Sequence, residues 1–271
     1  MAATSAFNRC NSLRSAVALL GLLSCGASSA AVRLVSLTHP PALSEDVDAA
    51  PKIARPRNAS ERRINSALAH YDAQSRRELK QCRKDAAESN LGLASFEWRR
   101  TIKPTMSGPD YLSFTIFTYG SCGGAHPWAQ TASIILDLAS GARAEWNRLL
   151  PARLIGHTSL DKGKEIEMPA LESKRLQALY VQAYLKGDHA DDKQCREAVE
   201  TADGGEPRFQ AWLDAESGGL AYVMQLNDFE KACMDEFVLP LETLREEGAS
   251  ATLLSAIEAA HAAEPSKTPA K

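Results

Sequence analysis

The sequence is short of several features that would point to a particular class of protein. Its formal net charge is only −3 and it has no basic cluster, which argues against nucleic acid or an anionic lipid surface as a partner. After residue 30, no segment approaches the roughly eighteen consecutive apolar residues that span a bilayer. There is no Cys-x-x-Cys pair and no paired-Asp motif, so we expect neither a metal site nor a cofactor.

Residues 1–30 have the layout of a secretory signal peptide. Arg9 and Arg14 precede a short apolar run, and small residues follow up to Ala30. The run is too short for a stable membrane anchor, and we expect cleavage after Ala30. The alternative is lipidation of Cys25, which follows a lipobox-like Leu-Leu-Ser and would be the only attachment to a membrane. The sequence thus predicts an exported protein of the periplasm or outer envelope of a bacterium.

Four cysteines follow the leader, and an even number in an exported chain indicates two disulfides. They are Cys82, Cys122, Cys195 and Cys233, which allow three pairings. We favour Cys82–Cys122 and Cys195–Cys233, each linking a helix to a nearby β segment. Each bond would close a loop of about forty residues and stabilise the fold by about 3–4 kcal/mol in the chain-entropy model.

Hydrophobic periodicity predicts the secondary structure. In residues 111–138, two runs of alternating residues are joined by a Gly-rich, His-Pro-containing connection, which predicts a β-hairpin. Asn58 and Glu61 form a capping box that starts a helix reaching to about Glu88. Further predictions are strands at 95–102, 143–146 and 236–239, a turn at 104–109, a hairpin at 209–226, and helices at 171–187, around Cys195 and at 250–263.

These elements predict an α+β fold, an antiparallel sheet with packed helices and disulfide bonds, because helices and hairpins occupy separate blocks. We divide the chain into four segments. Residues 1–30 are the signal peptide, and residues 31–57 are a Pro-rich linker expected to be extended and mobile. Residues 58–248 form the α+β domain, and residues 249–271 form a terminal helix and a disordered tail.

The order of these elements resembles that of a known family. Gly-Gly-Ala-His at 123–126, the Asp-Leu-x-x-Gly hairpin at 137–141 and the closing segment 229–244 resemble the RsiV C-terminal domain family. That extracytoplasmic domain also occurs in the peptidoglycan deacetylase PdaC. The resemblance implies an envelope module that binds a protein or cell-wall ligand, lysozyme in RsiV, without chemistry of its own. No sigma-binding helix or deacetylase domain is recognisable in this sequence.

The connection between the two central strands is the candidate binding site. We expect Gly123, Gly124, His126, Pro127 and Trp128 to form the contact surface, because proline rigidifies a loop and an exposed tryptophan offers a large contact area. In the alternative, Trp128 packs against the sheet beside a disulfide.

Two other interpretations belong to different functional classes. Cys122 and His126 suggest a small envelope hydrolase with a thiol nucleophile and a base that Asp137 would orient. That chemistry requires a free, reactive Cys122. The third interpretation is a structural lipoprotein acylated at Cys25. We favour the binding module and assign no catalytic residue.

Other polar clusters are expected to be solvated surface. The run around His189 lacks the glycine and the terminal glutamate of a calcium loop and is interpreted as a helix start. Glu165, Glu167 and Glu172 form no recognisable pair across a cleft. The basic residues of the first helix are expected to form its solvated face and not a ligand groove, namely Arg62, Arg63, Arg76, Arg77, Lys80 and Lys84.

Overall fold

The structure, a computed structural model, describes residues 33–90, 92–160, 169–187, 190–202, 206–227 and 230–264. The predicted signal peptide, the predicted lipidation site Cys25, and Glu165, Glu167 and His189 lie outside the described residues. The described part is an α+β fold of antiparallel sheets and packed helices with two disulfides, as predicted.

The described strands and helices are numbered in chain order. The strands are β1 (Leu37–Thr38), β2 (Lys52–Ile53), β3 (Phe96–Ser107), β4 (Tyr111–Cys122), β5 (Trp128–Asp137), β6 (His157–Leu160), β7 (Pro169–Glu172), β8 (Arg208–Asp214), β9 (Gly219–Met224) and β10 (Glu236–Pro240). The helices are α1 (Ala59–Glu88), α2 (Trp146–Leu149), α3 (Ala152–Ile155), α4 (Lys174–Tyr184), α5 (Lys193–Thr201), α6 (Leu241–Glu246) and α7 (Ala251–Ala263).

Helix α1 begins where its cap was predicted. The Asn58 side chain accepts a hydrogen bond from the Glu61 N–H at 2.8 Å. The Glu61 carboxylate accepts from the N–H of Arg57 at 2.6 Å and pairs with Arg33, so it ties the incoming chain to the first turn. The hydrogen bond from the Arg57 backbone, followed by the Arg33 guanidinium, holds the pKa of Glu61 below its ordinary value despite the opposing effect of burial.

Strands β3, β4 and β5 form an antiparallel sheet in that order, with α1 on one face. Leu112, Phe114 and Ile116 alternate along β4 and pack with Ile64 and Leu68 of α1. Strand β3 runs through the predicted 104–109 turn as far as Ser107, with a bulge between Pro104 and Met106. Proline is tolerated there because β3 is the last strand of its sheet, where a missing N–H breaks no ladder bond.

The second sheet has five antiparallel strands in the order β10-β9-β8-β7-β6 and packs against α4 to α7 around the largest core cluster. Strand β8 also contacts the polar face of the first sheet. The N–H and hydroxyl of Ser133 donate to Gln210 Oε1, and the Leu213 N–H donates to Ser113 Oγ at 3.2 Å. Buried polar side chains therefore join the two sheets, although Gln210 Nε2 has no hydrogen-bond partner among the described residues.

Residues 33–57 differ from the predicted mobile linker. Strands β1 and β2 pair with each other, and Val47 is 1% exposed and bridges to Arg100 of β3. The Ala50 N–H donates to Asp72 Oδ1 of α1, and that carboxylate also lies 3.3 Å from the Arg100 guanidinium. This segment is ordered because side chains of α1 satisfy its backbone and its apolar residues are buried.

Two other predictions differ in detail, and two are confirmed. The predicted 171–187 helix begins only at Lys174, because Ser173 caps α4 and residues 169–172 form strand β7. The predicted 143–146 strand is reduced to one bridge, between Leu136 and Arg143, followed by α2. The predicted hairpin at 209–226 and the terminal helix are confirmed as β8–β9 and α7.

Candidate functional site

The two favoured disulfide pairings are confirmed. Cys82 of α1 bonds Cys122 at the end of β4, with 4.7 Å between the Cα atoms. Cys195 of α5 bonds Cys233, with 5.0 Å between the Cα atoms. Cys233 lies in a short 3-10 turn (Lys231–Cys233) before β10, so this bond links a helix to a turn and not to a strand. The first disulfide fixes the base of the candidate binding loop.

The connection between β4 and β5, residues 123–127, is called the hairpin loop below. Its residues 124–127 are all exposed, and they include His126 and Pro127. The loop follows Cys122 directly and leads into Trp128, so each end of the loop lies beside a fixed point of the fold.

Gly123 allows the hairpin loop to lie against the end of α1. Its φ of +83° is a backbone conformation that favours glycine. A Cβ atom at this position would lie 2.6 Å from Ser89 Cβ and 3.0 Å from Ala86 Cα. Gly124 differs, because a Cβ atom there would meet nothing within 4 Å. Only the first of the two glycines is therefore required by packing.

Trp128 is half-buried and belongs to the fold as much as to the loop. Its ring meets the Trp98 ring edge-on, with 5.3 Å between the centroids and an 81° interplanar angle. It also lies over Gly120, where a Cβ atom would come within 2.7 Å of Trp128 Cζ2. Trp128 thus packs against the sheet beside Cys82 and Cys122, the arrangement set out above as the alternative to an exposed ring. The exposed part of the candidate surface is residues 124–127.

The arrangement does not provide the chemistry of a thiol hydrolase. The sulfur of Cys122 is bonded to Cys82, so it is not a thiolate nucleophile in this structure. Asp137 lies opposite Tyr111 at the far end of β5, about 30 Å from Trp128 at the usual rise of about 3.3 Å per residue. The suggestion that Asp137 orients His126 is therefore wrong. Its carboxylate instead accepts the Ser140 N–H at 2.6 Å and shapes the following turn.

The other sequence candidates have structural partners where they are described. Asp192 caps α5 by accepting the N–H groups of Gln194 and Cys195, as expected for a helix start. Glu172 lies 3.6 Å from Arg208. Among the described residues, no three potential metal ligands cluster together. Within that same part of the chain, no helix has the length and apolar character needed to cross a membrane.

Where the sequence analysis expected a solvated face and no ligand groove, the structure has a groove of about 520 Å³ between α1 and the outer edge of β3, called the α1–β3 groove below. It is lined by Arg76, Leu79, Lys80 and Arg83 of α1, by Phe96, Glu97 and Trp98 of β3, and by residues 44–46. One wall of this groove comes from residues 44–46, which lie in the segment predicted to be a mobile linker. The recurring basic residues at 76, 80 and 83 were the available signal.

Comparisons with known proteins show neither a family nor a function for this chain. No protein-family model and no curated protein matches the chain. Among solved structures, the chain is similar to the crystal structure of a member of the DUF3298 family from Bacteroides fragilis. The two are 15% identical with a TM-score of 0.37, over 76% of this chain and 75% of the other. A similarity this low transfers neither a site nor a function. The class that the fold itself defines is a disulfide-bonded α+β protein, a type characteristic of oxidising compartments.

Proposed function

We propose that this protein is an exported, non-catalytic binding module of the bacterial cell envelope, which contacts a protein or cell-wall ligand through the hairpin loop. Two structural disulfides support a site of action outside a reducing cytosol. The signal-peptide-like leader at residues 1–30 supports export. The resemblance to the RsiV C-terminal domain family supports a ligand such as lysozyme or peptidoglycan.

The observation that carries the proposal is the exposed stretch 124–127 between two fixed ends. The Cys82–Cys122 bond holds one end, and the packing of Trp128 on Trp98 holds the other. A loop fixed in this way loses little conformational entropy when a ligand binds. Binding residues are often found on such loops, which a rigid scaffold positions.

The thiol-hydrolase interpretation conflicts with the Cys82–Cys122 disulfide, whereas the lipoprotein interpretation does not. A thiol hydrolase would need reduction of the Cys82–Cys122 bond, which would also release one end of the hairpin loop. Acylation of Cys25 is compatible with the binding module, because a lipid anchor would only tether it to a membrane.

The proposal is tested with the oxidised mature protein and two probes, purified peptidoglycan sacculi in a pull-down and lysozyme in biolayer interferometry. We expect binding to at least one probe. We also expect the double variant His126→Ala/Pro127→Ala to weaken that binding by about tenfold or more, as for loss of an interface centre.

The matched control is Lys174→Ala on α4, an exposed residue that should leave binding unchanged. Near-ultraviolet circular dichroism confirms that each variant keeps its fold. Failure of both probes to bind, or equal binding by the loop variant and the wild type, would contradict the proposal.

A further inference from the structure

The outer edge of β3 is only partly covered. The Arg100 N–H donates to Asp46 O at 2.8 Å, and the Asp48 N–H donates to Arg100 O at 2.9 Å. Both backbone groups of Arg100 therefore point away from β4, toward residues 46–48. The Ile102 N–H points the same way and donates to Asp48 Oδ2 at 3.0 Å. Hence residues of even number along this part of β3 direct their backbone groups outward.

The same alternation leaves two positions of β3 open. Trp98 and Phe96 lie two and four residues before Arg100, so their N–H and C=O groups also point outward. In the described part of the chain, no backbone hydrogen bond outside the helices and the sheet ladders involves these groups. Residues 46–48 cover the edge only from Arg100 onward. An open stretch of strand edge is a ready template for an added strand.

The α1–β3 groove lies along this open stretch, because Phe96 and Trp98 line it. Trp98 is 7% exposed, and within the described residues its indole nitrogen, a donor, has no hydrogen-bond partner. A buried donor without a partner carries a desolvation cost that a ligand acceptor would remove. The groove thus combines an unpaired backbone edge, an aromatic lining and a polar group in need of a partner.

The charges that line the groove favour an acidic ligand on the α1 side. Arg76, Lys80 and Arg83 are exposed, and none of them pairs with a carboxylate in the described part of the chain. Arg83 lies over the Phe96 ring, 5.9 Å from its centroid. The lining also holds three acidic residues away from α1, Glu45, Asp46 and Glu97, of which Glu97 pairs with Arg99. Alternate side chains of a strand laid along β3 would point toward α1, the wall that carries the three basic residues.

We propose that the α1–β3 groove binds an extended acidic peptide segment, which adds as a strand to the edge of β3 at Phe96 and Trp98. The bound strand would continue the pairing that residues 46–48 make with Arg100. Main-chain hydrogen bonds would supply affinity, and Arg76 and Lys80 would select carboxylates at alternate positions. This site does not depend on whether the hairpin loop binds a ligand.

The test uses three fluorescein-labelled octapeptides and fluorescence anisotropy with the oxidised mature protein. The first peptide alternates Glu and Val, the second replaces Glu with Lys, and the third is the first with alternate backbone nitrogens methylated. We expect saturable binding of the first peptide only. The other two should bind at least about tenfold more weakly, because one lacks the charge and the other lacks the donors.

Two double variants separate this site from general electrostatic attraction. Arg76→Glu/Lys80→Glu should weaken binding of the Glu-Val peptide by about tenfold. Arg62→Glu/Lys174→Glu makes the same charge change at exposed positions outside the groove and should leave affinity within about twofold. Hydrogen exchange of the Trp98 amide should slow when the peptide binds.

Four outcomes would overturn the proposal, and a fifth comes from the hairpin-loop variant described last. They are equal binding of the methylated peptide, equal losses in both double variants, unchanged Trp98 exchange, and concentration-dependent dimerisation of the protein without peptide binding. The last outcome would assign the edge to a second copy of this chain. His126→Ala/Pro127→Ala should bind the Glu-Val peptide normally, and loss of binding there would place the peptide on the hairpin loop instead.

Discussion

Gly120 and Gly124 lie four residues apart around the β4–β5 connection, yet only Gly120 is required by packing. A Cβ atom at Gly120 would come within 2.7 Å of the Trp128 ring, whereas one at Gly124 would meet nothing within 4 Å. The glycine at 120 therefore creates the space in which Trp128 packs against Trp98. Sequence alone shows a Gly-rich turn but does not distinguish these two roles.

This difference gives a prediction at the residue scale. Gly120→Ala should lower the free energy of unfolding by about 1–3 kcal/mol, because the added methyl group displaces a packed ring. Urea denaturation measures the loss, and tryptophan fluorescence reports the displacement of Trp128. Gly124→Ala is the matched control and should change stability by less than about 0.5 kcal/mol. Equal stabilities of the two variants would show that Trp128 does not require the gap at Gly120.

At the scale of elements, strand β5 shows how the fold protects a sheet edge. One side of β5 pairs with β4, and the other side is covered mainly by side chains. Ser133 donates to Gln210, the Thr131 carbonyl accepts from Gln225 Nε2 at 2.8 Å, and the Ala129 carbonyl accepts from Lys231 Nζ. These contacts occupy backbone groups that would otherwise attract another strand. The contrast with the open edge of β3 at Phe96 and Trp98 supports a function for that opening.

Removing this cover should promote self-association. In Gln225→Ala/Lys231→Ala, the carbonyls of Ala129 and Thr131 lose these partners, and we expect concentration-dependent oligomers in size-exclusion chromatography with light scattering. The matched control is Gln177→Ala/Lys174→Ala on α4. Gln177 also donates to two backbone carbonyls, those of Val199 and Glu200, but away from a strand edge. A double variant that stays as monomeric as this control would contradict the protective role of the β5 contacts.

The elements predicted correctly from the sequence are those with local signals. The cap at Asn58 and the alternation in β4, β5, β8 and β9 are read from neighbouring residues. The even cysteine count needs no knowledge of the fold either. Strand β7 was missed because its four residues are too few for a periodic pattern, and its strand identity depends on pairing with β6 and β8. Residues 33–57 were interpreted as a linker because their proline content is local, whereas their contacts with Asp72 and Arg100 are tertiary.

The same distinction applies to the candidate sites. The hairpin loop was recognised because its glycines, His126 and Pro127 are contiguous in sequence. The sequence left open whether Trp128 is exposed or packed against the sheet, because its packing depends on Trp98, which belongs to a different strand. The α1–β3 groove was not expected, although a ligand groove at the basic residues of the first helix was considered, since its walls come from three separated segments.

At the scale of the whole molecule, the two disulfides hold different parts of the fold. Cys82–Cys122 ties α1 to the first sheet, and Cys195–Cys233 ties α5 to the turn that leads into β10 of the second sheet. Their sequence separations are 40 and 38 residues, so the chain-entropy model gives each about 4 kcal/mol. Together they contribute about 8 kcal/mol, comparable to the total stability of about 5–15 kcal/mol of a typical domain.

This comparison predicts that the fold depends on an oxidising compartment. Cys82→Ser/Cys122→Ser and Cys195→Ser/Cys233→Ser should each lower the free energy of unfolding by about 4 kcal/mol. Reduction of both bonds in the native protein should unfold most of it, so most of the near-ultraviolet circular dichroism at about 25 °C should disappear. Non-reducing peptide mass spectrometry of envelope-derived protein should find both bonds and either a start at Ala31 or a lipid on Cys25. A free Cys122 in a protein that is fully stable would instead favour the hydrolase interpretation, with Cys122 as the nucleophile and His126 as the base.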